Sequence, residues 1–346
     1  MSQKTIDDVQ DYYGKVLKTK DDLKTSACCP ADAPPAYLRP YIKNIHETVL
    51  SKFYGCGTPV PESIEGCTVL DLGCGTGRDV YILSQVVGEK GKVIGLDMTD
   101  EQLSVANQYI GWHMDQFGYK QQNVEFKQGY IEDLKTAGIS DNSIDVVISN
   151  CVINLSPDKE KVFSEIYRVL KPGGELYFSD VFADRRISKD LQEDKILLGE
   201  CLGGAMYTED FRRMMTKIGM ADTRVMSKTP LELHDPEVVA KAGMINFSSI
   251  TIRAFKVELE DLCEDYGQVA YYKGTIPEHT HSFVLDDHHE FFTGKPMTVC
   301  SNTANMLKDT RFAPHFRIEG DMSTHYGVFD CSSSDASPAA KGGACC

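Results

Sequence analysis

No run in this chain is apolar for long enough to cross a bilayer as a helix, and the opening Met1-Ser2-Gln3-Lys4-Thr5-Ile6-Asp7-Asp8 lacks the apolar region of a secretory signal. A cytoplasmic protein with no membrane partner is expected. Positive charge is also scarce, with 36 Lys and Arg against 51 Asp and Glu and a net charge of -15. That surface repels phosphate backbones and anionic lipid heads, so nucleic acid is not an expected partner. There is no internal repeat, and tryptophan occurs once, at Trp112. Cysteine, by contrast, is plentiful. Twelve of them in an acidic chain without an export signal argue against a disulfide scaffold and for thiol chemistry or soft-metal binding.

With 346 residues the chain exceeds one ordinary core, and two or three domains are expected. Strand-length apolar runs, Thr68 to Leu72, Lys92 to Asp97, Val124 to Gln128, Ile144 to Ser149 and Glu175 to Ser179, alternate with segments of helical period. The helical segments are Arg78 to Val87, Asp100 to Phe117 and Asp158 to Leu170, the last closed by Lys171-Pro172-Gly173-Gly174. This order predicts an α/β fold with a doubly wound, Rossmann-like parallel sheet over 51–185. Before it, 1–50 should hold two helices, Asp7 to Leu23 and Arg39 to Leu50, around a mobile Cys29 to Ala36 loop. After it come a segment over 186–256, largely helical from Asp190 to Ile218 and of mixed short elements from Met226 to Lys256, a small α+β domain over 257–330 and a disordered Ser- and Ala-rich tail over 331–346.

Asp71-Leu72-Gly73-Cys74-Gly75-Thr76-Gly77 follows the first strand and opens a helix, and its glycines permit a sharp turn and close backbone approach to a ligand. The second strand ends in Gly95-Leu96-Asp97, about 20 residues on, where a carboxylate can accept both hydroxyls of a ribose. The turn reads Gly-x-Gly-x-Gly behind Asp71, without the Gly-x-Gly-x-x-Gly of dinucleotide sites. An acidic residue there repels a pyrophosphate but suits an amino-acid ammonium, which S-adenosylmethionine carries. The loop Gly129-Tyr130-Ile131-Glu132-Asp133 can flank an adenine with apolar atoms. Asn150-Cys151-Val152-Ile153-Asn154-Leu155 lies just beyond the fourth strand. In an open α/β sheet that position faces the ligand crevice, so Cys151 is a candidate ligand or nucleophile.

The glycine turn, with the later Val169-Leu170-Lys171-Pro172-Gly173-Gly174, closely resembles the class I S-adenosylmethionine-dependent methyltransferases. The cofactor residues expected on that basis are Asp71, Gly73, Gly75, Gly77, Asp97, Met98, Tyr130, Ile131 and Asn150. Phe53-Tyr54-Gly55-Cys56-Gly57, Ser149 to Leu155, Gly199-Glu200-Cys201-Leu202-Gly203-Gly204-Ala205 and the early Cys28-Cys29 together resemble the arsenite methyltransferases of eukaryotes. The resemblance implies that arsenite is a thiolate complex of Cys56, Cys151 and Cys201, and that 186–256 is an arsenic-binding segment. It also implies a fourth cysteine in the redox steps, either Cys28 or Cys29.

Trivalent arsenic is soft and prefers sulfur; three thiolates leave its lone pair at the free apex. A lone pair aimed at a sulfonium methyl needs no general base. Alignment alone can lower such a barrier by roughly 7 to 11 kcal/mol at the upper end. Each transfer formally oxidises arsenic, so electrons must return. Nearby thiols can supply them by forming a disulfide, Cys28 or Cys29 with Cys56, or Cys56 with Cys151, which thioredoxin or glutathione then reduces. Arsenite and methylarsenite are the expected substrates and a monomer the expected state.

Cys67, Cys74, Cys263 and Cys300 are expected as small core hydrophobes. His279, His281, His288 and His289 read as exposed strand histidines, and Cys345-Cys346 as part of a solvated tail. Two other readings fit fewer features: a class I methyltransferase for an organic small molecule, which needs only the cofactor motifs, and a non-enzymatic thiol buffer, which needs only the cysteines.

Overall fold

The computed structural model describes residues 34–53, 55, 57–194, 197 and 201–330. The expected helix Asp7 to Leu23, Cys28, Cys29, Cys56 and the tail lie outside the described residues. Five parallel strands form the centre: β1 Thr68–Leu72, β2 Lys92–Asp97, β3 Val124–Gln128, β4 Ile144–Asn150 and β5 Leu170–Ala183, in the order β3-β2-β1-β4-β5. Their near-continuous apolar runs follow from burial on both faces. Side chains alternate between two cores. Leu70 and Leu72 of β1 face Phe163, Ile166 and Phe178, while Val69 faces Val80, Tyr81 and Ile148 on the other side.

The chain winds outward in both directions from the adjacent pair β1 and β4, so the crevice at their carboxyl ends is the switch point where ligands bind in such sheets. Helix α3 Arg78–Val87 starts there behind Gly77, following the short α1 Arg39–Lys43 and α2 Glu47–Leu50. The helical stretch expected over 100–117 is interrupted at Tyr109 into α4 Asp100–Gln108 and α5 Ile110–Phe117. Helix α6 Lys159–Val169 packs its apolar stripe, Val162, Phe163, Ile166 and Val169, on the sheet.

The sheet is mixed rather than wholly parallel. Segment 186–256 supplies α7 Lys189–Gln192, β6 Met206–Tyr207 beside the end of β5, α8 Thr208–Ile218, β7 Thr223–Pro230, α9 Pro236–Ala242 and β8 Phe247–Phe255. Strand β8 runs antiparallel to β5, and β7 antiparallel to β8, so this segment extends the central sheet. The half-exposed edge strand β7 carries little alternation, which is why its sequence does not announce a strand.

The C-terminal unit is α+β, as expected. Its ribbon pairs β9 Glu264–Asp265 with β15 Gly327–Val328, and its sheet joins β10 Gln268–Tyr272 to β13 Pro296–Val299 and β14 Phe316–Glu319. A hairpin, β11 Ser282–Val284 with β12 Glu290–Phe292, and helix α10 Ser301–Lys308 close a core of Tyr272, Phe283, Phe312 and Phe316. A buried ion cluster joins this unit to the main sheet: Arg253 pairs with Glu175 at 2.7 Å and Glu62 at 3.1 Å, and Arg311 reaches the other oxygen of Glu175. Among the described residues no helix is long and apolar enough to cross a membrane.

Candidate active site

The carboxyl ends of β1, β2 and β4 open onto a cavity of about 120 Å3. Gly73, Gly75 and Gly77 of the turn after β1 all adopt positive φ, the left-handed region that glycine enters without steric cost. Four acidic residues, Asp71, Asp79, Asp97 and Glu132, line the cavity. Burial, then Asp79 and Asp97, holds the Asp71 carboxyl well above the usual carboxylate range. Burial also raises Asp97, although the Gly75 and Thr99 N–H groups donate to its two oxygens at 2.8 Å each. The Thr99 side chain and the Met98 N–H also bond to it and favour its ionised form. Arg78 pairs with Asp79 at 2.7 Å and lies over the Phe53 ring, 3.9 Å from its centroid. A cavity with this charge fits a cationic ligand; the ammonium and sulfonium of S-adenosylmethionine supply that charge.

At the same crevice Asn150 joins the N-terminal segment to the sheet. Its Oδ1 accepts from Gly57 N–H at 3.1 Å, and its Nδ2 donates to Gly57 O at 2.9 Å and to Asp79 Oδ2 at 3.1 Å. A Cβ on Gly57 would stand 2.5 Å from Ser179 Oγ, so this close seating on β5 requires glycine.

Cys151 comes directly after Asn150 and Cys201 lies in the loop before β6; both hold φ in the left-handed region, 57° and 64°. Such backbone is costly for a side chain with a Cβ and collects at functional sites. The Cys201 thiol donates to the Cys151 carbonyl at 3.1 Å, and both residues sit in a small apolar cluster with Val181, Leu197 and Leu202. Asn154 fastens the Cys201 loop, its Nδ2 donating to Val181 O at 2.6 Å and approaching Cys201 O at 3.5 Å. Cys151 is disulfide-bonded, whereas Cys201 is not.

Among the described residues, one group of potential ligands gathers within 4.8 Å: Cys151, Asp180 and Cys201. Asp180, on β5, is fully buried, and burial pushes its carboxyl up to about 7 against the N–H groups of Val181 and Asn154 that donate to it. Burial lowers the pKa of Lys159, against Asp180, Cys201 and Glu132, which favour its charged form.

A family model described as a methyltransferase domain matches residues 63–219, and one described as the arsenite methyltransferase C-terminal domain matches 265–341. An arsenite methyltransferase of Aquipseudomonas alcaligenes is 53% identical over 323 residues, 93% of each chain. That of Homo sapiens is 44% identical over 312 residues, 90% of this chain and 83% of the relative. The chain belongs to the arsenite methyltransferase family. The crystal structure of an arsenic(III) S-adenosylmethionine methyltransferase from Chlamydomonas reinhardtii superposes with a TM-score of 0.84 at 52% identity, covering 86% of this chain and 100% of that one. In this arsenite methyltransferase family member, as in class I methyltransferases generally, S-adenosylmethionine is the cofactor.

Of the cofactor residues expected from sequence, Asp71, Gly73, Gly75, Asp97, Met98, Tyr130, Ile131 and Asn150 line the cavity. Gly77 does not; it caps α3, and a Cβ there would stand 2.7 Å from Phe126. Cys151 lines the cavity, and Cys201 stands behind it. Sequence reasoning missed Phe53, Asp79 and Asp180. The signal for Asp180 is an acid closing the apolar run Leu176 to Phe178, and for Asp79 an acid in the first turn of a helix that is buried almost throughout. The four C-terminal histidines form no metal cluster among the described residues and lie in turns rather than on strands; His281 and His288 are exposed, while His279 and His289 are half-buried.

Proposed function

We propose that this chain methylates trivalent arsenic held by Cys56, Cys151 and Cys201, converting arsenite to methylated and dimethylated arsenicals as a detoxifying, monomeric, cytoplasmic enzyme. The observation that carries the reading is the meeting of Cys151 and Cys201 beside a cavity lined by carboxylates. A thiol buffer has no use for that cavity, and an organic methyl acceptor has no use for paired thiols on strained backbone.

Asp71 receives the ammonium of the cofactor, Asp97 its ribose hydroxyls, and Met98, Tyr130 and Ile131 flank its adenine. The bound sulfonium supplies an electrophilic methyl group. The cysteine thiolates hold arsenic with its lone pair turned to the cavity, and the apolar cluster around them keeps water away. No residue need remove a proton at the transfer step. Two electrons return to arsenic when two thiols join, and the disulfide-bonded state of Cys151 supports its place in that step. Cys28 or Cys29 is the further redox thiol, and thioredoxin or glutathione the external reductant.

Arsenite needs three thiolates, whereas methylarsenite already carries one carbon and needs two. Cys151→Ser and Cys201→Ser therefore lose both methylations, because a hydroxyl is a hard, weakly acidic ligand. Cys56→Ser loses arsenite methylation and keeps that of methylarsenite. Both substrates run side by side on the three variants, with strong external reductant, test this; a Cys56→Ser enzyme that works on arsenite at the wild-type rate, or fails equally on both, contradicts it.

A further inference from the structure

Where the C-terminal unit meets the main sheet, a second pair of cysteines sits in polar rather than apolar surroundings. Cys300 caps α10: its sulfur accepts from Thr303 N–H at 3.4 Å and lies 3.3 Å from Thr303 Oγ1. Arg224 donates to that same hydroxyl oxygen at 3.1 Å, which leaves the Thr303 proton to point at the sulfur. Cys263 also hydrogen-bonds to the Cys300 sulfur. Neither is in a disulfide, and both are buried. The charges around them are few. Arg224 is held by Asp222 at 2.6 Å and Asp286 at 2.9 Å, and His289 Nδ1 lies 2.7 Å from Asp286.

A sulfur at the start of a helix, beside a guanidinium and touched by a second thiol, has the surroundings that stabilise a thiolate. The Cys263 hydrogen bond, followed by Arg224 and Thr303, outweighs burial and brings the Cys300 thiol down to about 5. Both cysteines are buried, as the expectation of small core residues has it, but Cys300 is set among polar partners rather than in an apolar cluster. Access runs through the ribbon next to Cys263. Cys263 O accepts from Phe329 N–H at 2.7 Å, and β9 and β15 pair over only two residues each, with Tyr326 and Val328 67% and 68% exposed. Short, exposed pairings of this kind open at small cost.

We infer that Cys263 and Cys300 form a second redox dithiol, closed to an intramolecular disulfide by hydrogen peroxide and distinct from the arsenic-binding thiols. The Cys300 thiolate attacks one peroxide oxygen, giving a sulfenic acid and hydroxide, which takes up a proton to become water. The Cys263 sulfur then attacks the sulfenic sulfur, forming the S–S bond and releasing a second water with its thiol proton. Two thiols and one peroxide thus become one disulfide and two waters. The bond ties the ribbon to the start of α10.

The test treats the full-length protein with hydrogen peroxide, blocks remaining thiols with N-ethylmaleimide and maps peptides by mass spectrometry without reduction. The expected result is a peptide pair joined through Cys263 and Cys300, replaced in Cys263→Ser by a dimedone-trapped sulfenic acid on Cys300. Thr303→Val, which keeps both sulfurs, should slow bond formation several-fold. Oxidation of Cys300 without a bond to Cys263, or oxidation of the half-buried Cys67 while Cys300 stays reduced, overturns the inference, as does an unchanged rate in Thr303→Val. None of these outcomes bears on arsenic methylation.

Discussion

The thiol of Cys201 donates to the backbone carbonyl of Cys151 at 3.1 Å, although fifty residues separate the two in sequence. This contact joins the end of β4 to the segment that precedes β6, and it places a thiol beside a sulfur that is oxidised. A three-thiolate arsenic site therefore requires prior reduction. Arsenite titrated into protein prepared without reductant should bind weakly or not at all, and glutathione or thioredoxin should restore binding; equal binding in both states would contradict this.

Gly204 lies against the same contact. A Cβ there would stand 1.9 Å from Asn154 O, the residue that fastens the Cys201 loop. Gly204→Ala should push the loop off Asn154 at a cost of ~1–3 kcal/mol, weakening arsenite binding about tenfold or more. Cofactor affinity, read by calorimetry, should stay near wild type, since Gly204 does not line the cavity.

Asp71 makes the cofactor site sensitive to pH. Its folded pKa lies above the usual carboxylate range, so the folded chain holds a proton there that the unfolded chain has lost. Stability of the ligand-free protein should accordingly fall as pH rises out of the ordinary carboxylate range. A bound cation offsets that loss. Stabilisation by S-adenosylmethionine, followed by thermal unfolding between about pH 5 and pH 8, should grow with pH. Asp71→Asn should flatten both trends and weaken the cofactor; an unaltered pH profile would show that Asp71 is not the group involved.

Asp97→Ala should weaken S-adenosylmethionine by roughly 10- to 150-fold, the equivalent of ~1.5–3 kcal/mol for hydrogen bonds to a charged group. Arsenite titration of the reduced variant should remain normal. Unchanged cofactor affinity would remove Asp97 from the ribose role.

How much of this was legible in sequence depends on the range of the contacts involved. The five parallel strands and the turn at Gly73 to Gly77 are local patterns, and the placement of Cys151 follows from the rule that ligands sit beyond strand ends. Strands β7 and β8 owe their place to pairing with β5, which no local periodicity encodes. The meeting of Cys201 with Cys151 is likewise a long-range event; only the cysteine contexts shared with a family pointed to it. Asp180 reads in sequence as the polar end of an apolar run, and only the fold shows it buried between two cysteines. Cys300 looks like a core residue until Arg224, 76 residues earlier, arrives beside Thr303.

Arg253, on β8 of the main sheet, is fully buried between Glu175 and Glu62 and donates to Leu285 O of the C-terminal unit at 2.9 Å. Arg253→Met takes one of its two arginine partners from the buried Glu175 and also unpairs Glu62, and should cost about 3–5 kcal/mol, read as a lower urea midpoint. A midpoint equal to wild type would show that the cluster does not hold the two parts together.

The most direct test of the central claim incubates the reduced wild-type protein with arsenite, S-adenosylmethionine and glutathione or thioredoxin, then separates the arsenic species by chromatography. Methylarsenicals followed by dimethylarsenicals are predicted, with none from Cys151→Ser or Cys201→Ser. Unmethylated arsenic as the sole species, from protein that binds the cofactor normally, would contradict the account.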